Sequence, residues 1–417
     1  DINSAKILIW LLRQGLTVTK ADDIVIVSAV RTPFGRYGGS LKDIDYYDLG
    51  AIPMSEVLKR VNISPDVVDE VFWGVGDTSP CKDPYTPVAA RQSLIKAGLP
   101  AETVSISFDM ACVSAMHAVK LAAMSIRLGE VDVAIAGGAT SFSREPILVR
   151  GLRFEGYRLG DVKMEDPLYA LGYKDFNPVA VDSDNIAFEY GIDRREQDEW
   201  ALRSHMNYGN AWNKGKFKDE IMALTIPQAK AESKVLDIDE QYRPDTTLES
   251  LSRLKTIYGT RSITAGSAPG MNDGATAILV MTRRKAEEFG LECLATVVSQ
   301  VSIAIHPNRM PEGPGYAIQE VLKKADMSLD DAAVVEINEA FACVPLVSTK
   351  LIARGDKKRL KQIRDKTNIN GSAIAIGHPN TASGARVIMN LMYELRRRGG
   401  GYACLLYTSP SPRDRTR

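Results

Sequence analysis

Two stretches of this chain run in the same order: a short strand, a tight link bearing one chemically capable side chain, and a helix. In the first, Val104–Phe108 reads as the strand, the link reaches Cys112, and residues 113–128 form a helix of small and apolar residues. The strand 131–136 follows and closes on Gly137-Gly138, and Val71-Phe72-Trp73-Gly74 supplies another. In the second, 333–337 is the strand, Asn338 stands in the link, and a helix follows it. A glycine-rich segment at 370–377 then leads into a helix over 383–398. These strands are apolar along their whole length rather than alternately, so both faces of their sheet must be covered by helices. The class is α/β, and the repeated order hints at an internal duplication.

At 417 residues the chain is too long for one ordinary core, so two or three domains follow. Residues 23–143 and 261–283 make a first α/β half, the latter returning through Ala277-Ile278-Leu279-Val280-Met281. Residues 144–260 break the pattern. They are richer in charge and aromatic residues, carry a helix at Arg194–Asn213, and read as an inserted loop domain. Residues 288–403 make the second half. Residues 1–22 read as an extension outside the fold, because the apolar run 7–12 is short for a signal peptide and lacks a cleavage site.

Formal net charge is zero, with no basic stripe and no charge block, which argues against nucleic acid as a partner. No apolar run reaches the ~18 residues that a membrane span needs. Five cysteines, at 81, 112, 293, 343 and 404, are scattered without the spacing of a metal site. That usage suits a reducing, cytoplasmic setting.

Three residues carry candidate chemistry. Cys112 sits at or beside a helix N-terminus, where free backbone N–H groups and the helix dipole favour a thiolate and can hold an oxyanion. On position alone, a buried structural cysteine is the commoner case. His378, in Gly377-His378-Pro379 ahead of a helix, is a base suited to activating a thiol near neutral pH. Asn338, where a strand ends, can fix a water or polarise a carbonyl oxygen, or else simply cap the next helix.

Together these segments resemble the thiolase family over residues 23 to 403. Arg31-Thr32-Pro33-Phe34-Gly35 is similar to its opening motif, and Gly137-Gly138 with Ser143 to its GGxxxxS. Gln197-Asp198 with Ala201 and Ser204 resembles the helix of its loop domain. Thr264-Ala265-Gly266 with Asn272-Asp273-Gly274-Ala275, and Gly377-His378-Pro379 with Ser383-Gly384-Ala385-Arg386, complete the set in family order. The resemblance implies two similar βαβαβαββ halves stacked as a five-layered αβαβα core. It also implies an acyl-CoA C-acyltransferase that condenses acetyl-CoA or thiolyses 3-ketoacyl-CoA. Cys112 would carry the acyl group and His378 would activate it and help bind the incoming thioester oxygen. Asn338 would hold a water in that oxyanion hole. Arg243, Ser250, Ala265, Ala340 and Phe341 would line the path of coenzyme A. CoA thioesters are then substrates, no cofactor or metal is held permanently, and the assembly is a homodimer or homotetramer in the cytoplasm.

The chain departs from the family in places. The family's second cysteine falls at 408, which is Thr here, so a non-catalytic protein that binds acyl-CoA or a partner is the alternative. The chain as it stands is then expected to be impaired in condensation. A β-ketoacyl synthase on the same fold is disfavoured by Asn338-Glu339-Ala340-Phe341. Residues 404–417 resemble a translated sequencing adapter and read as a tail, with Pro410 and Pro412 unsuited to a buried strand. Ala115, Pro178, Pro269 and Asn380-Thr381 also differ from the family and leave the acyl-chain preference open. Cys343 reads as core, His205 as a surface residue, and His306 as part of a substrate-side loop.

Overall fold

A computed structural model of the chain describes residues 20–76, 88–152, 154, 156–168, 175–227 and 232–406. Cys81, Thr408, Pro410 and nearly all of the 1–22 extension lie outside them.

The strands in chain order are β1 (Ile24–Arg31), β2 (Gly35–Arg36), β3 (Glu70–Gly74), β4 (Val104–Phe108), β5 (Val133–Ser141), β6 (Leu224–Ile226), β7 (Lys234–Leu236), β8 (Asn272–Thr282), β9 (Ala295–Thr296), β10 (Ala332–Ile337) and β11 (Tyr402–Leu406). The main sheet runs β4-β3-β5-β8-β1-β9, with β2 paired to β8. Its β4, β3 and β5 are parallel, whereas β8 lies antiparallel between β5 and β1.

Side chains of β1 show why two helical layers are needed. Val25, Val27 and Val30 enter one core, with the Tyr46–Lys59 helix and Trp73. Ile24, Ile26 and Ala29 enter the opposite one, with the Ser114–Leu128 helix. The alternation slips one residue at Ser28, where the register with β8 also shifts, the signature of a β-bulge. Ala115, Ala118, Ala122 and Ala123 let the Ser114–Leu128 helix lie close to the sheet. The Ser383–Arg397 helix joins the same core and is buried from Ser383 to Glu394, between the two halves. Beyond it lie β10 and β11, parallel to each other, under the Gly313–Ala325 and Cys343–Ala353 helices. Helix, sheet, helix, sheet and helix therefore follow one another.

Several sequence readings need correction. The third strand does not close at Gly137-Gly138 but runs on to Ser141, because two residues without Cβ atoms pass where a side chain could not. Cys404 does not begin a tail: it is 5% exposed in β11 and pairs with Val335, since Cys404-Leu405-Leu406 extends the apolar run of Tyr402-Ala403. β4 is not covered on both faces, for it is an edge strand with Val104 60% and Ile106 42% exposed. The two halves are also unequal. Among the described residues the second half's sheet has two strands, and 297–306, despite Val297, Val301 and Ile303, forms none. At its start the Val297 N–H still donates to the Ile24 carbonyl at 2.9 Å, continuing the pairing of β9 with β1, and the pairing goes no further. That segment instead borders a cavity of about 980 Å³ that also reaches Met116, His117, Leu391 and Cys404.

A Cβ on Gly137 would run into the Thr276 carbonyl and the Trp73 ring, both fixed by the sheet. Gly137→Ala should therefore lower unfolding free energy by about 1–3 kcal/mol, read by urea denaturation.

Candidate active site

Cys112 occupies a tight turn. β4 ends at Phe108, Ala111–Val113 forms a single 3-10 turn, and the Ser114–Leu128 helix starts directly after it. Ala111 takes φ +47°, a left-handed conformation costly for a residue with a Cβ. Two side chains hold it there. Asp109 Oδ1 accepts from the Ala111 N–H at 2.6 Å, and Ser114 Oγ donates to the Ala111 carbonyl at 2.7 Å while accepting from the Met110 N–H at 2.9 Å. The elbow leaves Cys112 partly exposed at the helix entrance.

His378 comes from another turn. Gly377 at φ +109° reverses the chain, and a Cβ there would touch the Asn272 carboxamide. That carboxamide, at the start of β8, accepts from the His378 N–H at 2.8 Å and donates to the Gly35 carbonyl at 2.9 Å. The imidazole Nδ1 meets Ser383 Oγ at 2.7 Å. Burial, and then the nearby Arg386 guanidinium, push the imidazolium form down to about 3, so the ring is neutral at ordinary pH. The Asn380–Ala382 turn that follows packs against Ala111–Val113, bringing the histidine and cysteine segments together. Thr381, a departure from the family pattern, is fully buried and tied to Thr140 Oγ1 (2.9 Å) and the Ala139 carbonyl (2.6 Å). It anchors the turn to β5.

Asn338 is buried just past β10 and is not a helix cap, because the next helix starts only at Cys343 with Ala342 before it. Arg386 Nη2 donates to its Oδ1 at 2.7 Å. Arg386 is fully buried; it also pairs with Glu336 and donates to Ser372 Oγ at 3.2 Å. Burial pushes the Glu336 carboxyl up to about 7 against the pull of Arg386. The next carboxylate, Glu339, gathers Trp200 Nε1 (2.8 Å), Ser204 Oγ (2.7 Å), Asn368 Nδ2 (3.0 Å) and the Ile374 N–H (3.2 Å). Through it the Arg194–Asn213 helix is fastened beside Asn338.

Of the remaining candidates, Ala265, Ala340, Phe341 and the helix of Ser250 lie near one another, while Arg243 is held elsewhere, against His205. Ala265 is exposed in a turn closed by the Ser267 N–H donating to the Thr264 carbonyl. The Ser267 carbonyl accepts from the Ala342 N–H at 2.8 Å, which sets Ala340 and Phe341 beside that turn. The same turn rests on Leu251 of the short helix holding Ser250. Ser250 is exposed, and its hydroxyl already serves a capping box with Thr247. The Arg243 side chain is exposed, and its N–H points to His205 Nδ1 at 3.4 Å. His205, read as a surface residue, is instead buried beside Tyr242, and burial pushes its imidazolium form down to about 4. Cys343 is fully buried with its thiol pushed up by that burial. His306 meets Asn308 and the edge of Phe176. Among the described residues, no group of three or more His, Cys, Asp or Glu is placed to hold a metal.

Sequence reasoning gave no role to Asn272, Ser383, Arg386, Glu336 or Glu339. All lie inside recognised motifs, but the pairing of Glu336 with Arg386 spans fifty positions and no spacing rule announces it.

Comparison with known proteins bears on the family and the fold. Residues 24–284 match the family model "Thiolase, N-terminal domain" and 291–408 match "Thiolase, C-terminal domain". An acetyl-CoA acetyltransferase of Chromobacterium violaceum is 38% identical over 384 residues, 90% of this chain and 94% of that protein. A beta-ketoadipyl-CoA thiolase of Acinetobacter baylyi is 37% identical over 91% of this chain and 94% of its own length. Human mitochondrial 3-ketoacyl-CoA thiolase superposes with a TM-score of 0.85 at 36% identity, over 92% of this chain and 95% of that one. Its complex with CoA gives a TM-score of 0.84 at 35% identity, over 93% and 95%.

Removing the guanidinium would strand a buried carboxylate. Arg386→Met should cost about 3–5 kcal/mol of stability in urea unfolding, and adding Glu336→Gln should recover part of the loss.

Proposed function

The chain belongs to the thiolase family, and from that premise we propose that Cys112 carries the acyl group, His378 is its base, and Asn338 donates to the oxygen of the second thioester. The activity is acyl transfer to and from coenzyme A. What carries the residue assignment is one helical turn: Ser383 meets His378, Arg386 meets Asn338, and Gly384 lies against Met116 of the helix that follows Cys112.

In the first step the Cys112 thiol gives its proton to His378 and its sulfur adds to the acyl carbonyl. The carbon–sulfur bond to CoA then breaks, and the leaving CoA thiolate takes the proton back from the imidazole. A thiolate at a helix entrance gains from the dipole, and the backbone N–H groups of that turn suit the oxyanion. In the second step the α-carbon of acetyl-CoA attacks the acyl-enzyme carbonyl, a carbon–carbon bond forms, and the bond to Cys112 breaks. The α-proton of a thioester is only weakly acidic. Its removal needs both a base and a donor at the enolate oxygen, and Asn338, whose Oδ1 accepts from Arg386, carries on its other side an NH₂ group of the kind that can donate to such an oxygen. The family's base for that proton falls at 408, which is Thr in this sequence. That residue favours the second reading, a thiolase-like protein that binds or accepts acyl groups from CoA without condensing them. Condensation of acetyl-CoA by the purified chain separates the two.

Arg243, Ser250, Ala265, Ala340 and Phe341 are proposed to line the route of CoA, with Ala265, Ala340 and Phe341 the best supported by the Ser267–Ala342 link. Residues 144–260 are read as an insert because β8 rejoins β1 and β5 after it. A homo-oligomer is supported by β4, whose outer edge is unpaired among the described strands and whose Val104 and Ile106 are exposed. A cytoplasmic site rests on the scattered cysteines.

Cys112→Ala should abolish the covalent acyl adduct that acetyl-CoA leaves on the parent protein, and mass spectrometry of the intact chain checks this; an adduct retained by the variant would overturn the assignment. A charge in β4, Ile106→Lys, should shift the sedimentation coefficient toward that of a single chain. An unchanged coefficient would place the contact elsewhere.

A further inference from the structure

His378 has two duties that demand opposite ring states. As a base toward Cys112 it needs a lone pair on Nε2, which puts its one proton on Nδ1. As a donor to a thioester oxygen it needs that proton on Nε2, which leaves Nδ1 as an acceptor. A fixed partner at Nδ1 could serve only one of these. A carbonyl or carboxylate accepts and would lock the proton on Nδ1; an N–H donates and would lock it on Nε2. The group found there is a hydroxyl, Ser383 Oγ at 2.7 Å, which can accept through a lone pair or donate through its proton by rotating about one bond.

Ser383 is well placed to do this without disturbing the ring. It is fully buried, so water does not compete for the contact. It is the first residue of the Ser383–Arg397 helix, whose next turn is pinned by Arg386 between Glu336, Asn338 and Ser372. The histidine's backbone is held separately, by the Asn272 carboxamide. Asn272 therefore holds the residue's backbone, while Ser383 meets only the ring. The charged groups facing the ring point the same way. When the ring takes the Cys112 proton on Nε2 it is imidazolium only until that proton passes to the leaving CoA thiolate. Burial and Arg386, one turn along, disfavour that state, so between steps the ring is neutral and, by exchange with solvent or substrate, carries its one proton on Nδ1 or on Nε2.

We propose that Ser383 is a positioning residue whose reversible hydroxyl allows His378 to alternate between accepting the Cys112 proton and donating to a substrate oxygen. The inference rests on the assignment of Cys112 and His378 made above. It implies that a hydroxyl, rather than serine as such, is required at 383.

The test is exchange of isotopically labelled CoA into acetyl-CoA by the full-length chain. This reaction needs only acylation and deacylation of Cys112, so it does not depend on residue 408. Ser383→Ala should slow exchange by about tenfold or more, while the acetyl-CoA concentration giving half-maximal rate stays within about twofold. Ser383→Thr, which keeps a hydroxyl, should restore most of the rate. The pH dependence of Cys112 alkylation by iodoacetamide gives a second reading on the same samples: it should change in the alanine variant and match the parent in the threonine variant. An alanine variant that exchanges at the parent rate with an unchanged alkylation profile would overturn the proposal, and so would a folded threonine variant as slow as alanine. His378→Ala distinguishes the two levels. If it exchanges like the parent, the site assignment itself fails; if it is slow while Ser383→Ala is not, only the role of Ser383 fails.

Discussion

A guanidinium with no access to water organises this site. Arg386 is worth its desolvation cost only because Glu336 supplies the counter-charge and Asn338 and Ser372 take further N–H groups. Those partners come from β10, the link after it and the segment before His378, so satisfying one cation fixes three pieces of chain against one helix. The geometry of the proposed acyl-transfer residues is a by-product of that electrostatic requirement. Asn338 cannot turn its carboxamide over without leaving a buried N–H unpaired, which keeps its donor end in a constant direction.

The Arg194–Asn213 helix is bound to this centre by a second buried carboxylate. Glu339 accepts from Trp200 and Ser204 on one side and from Asn368 and Ile374 on the other. The Arg194–Asn213 helix is thus hydrogen-bonded into the residue next to Asn338, so a shift of that helix would be felt at the proposed oxyanion donor. Ser204 and Ala201 belong to a motif readable in the sequence, yet their purpose, a carboxylate 135 positions away in the Ser204 case, is not.

Legibility followed the range of the forces involved. Strands buried on both faces and the small-residue helix after Cys112 declare themselves locally, through apolar runs and periodicity, and the family motifs marked the chemical residues. What escaped was set by partners distant in sequence. The bulge at Ser28 and the passage of β5 through Gly137 depend on neighbours in other strands. The exposure of β4 depends on its place at the sheet edge, which composition cannot give. Cys404 was misjudged because its surroundings in the sequence are unlike those in space, where Val335 offers it a strand to pair with. His205 lies in a charged stretch of sequence yet is buried, because Tyr242 covers that face of its helix.

The antiparallel pairing of β1 with β8 has a consequence in time rather than in energy. Ile24 meets Thr282 and Arg31 meets Thr276, so the strand that opens the fold finds its central neighbour only after the whole insert has been synthesised. At roughly 5–20 residues per second, a ribosome takes on the order of tens of seconds to bridge that gap. Through that interval the apolar strand Ile24-Val25-Ile26-Val27 lacks its β8 and β9 partners, even after the Tyr46–Lys59 and Ser114–Leu128 helices that cover its faces have been made, and its open edges are a template for pairing with other chains. Folding of this protein is thus exposed to aggregation during synthesis far more than after it, and its yield in a cell depends on whatever shields that first strand until the eighth arrives.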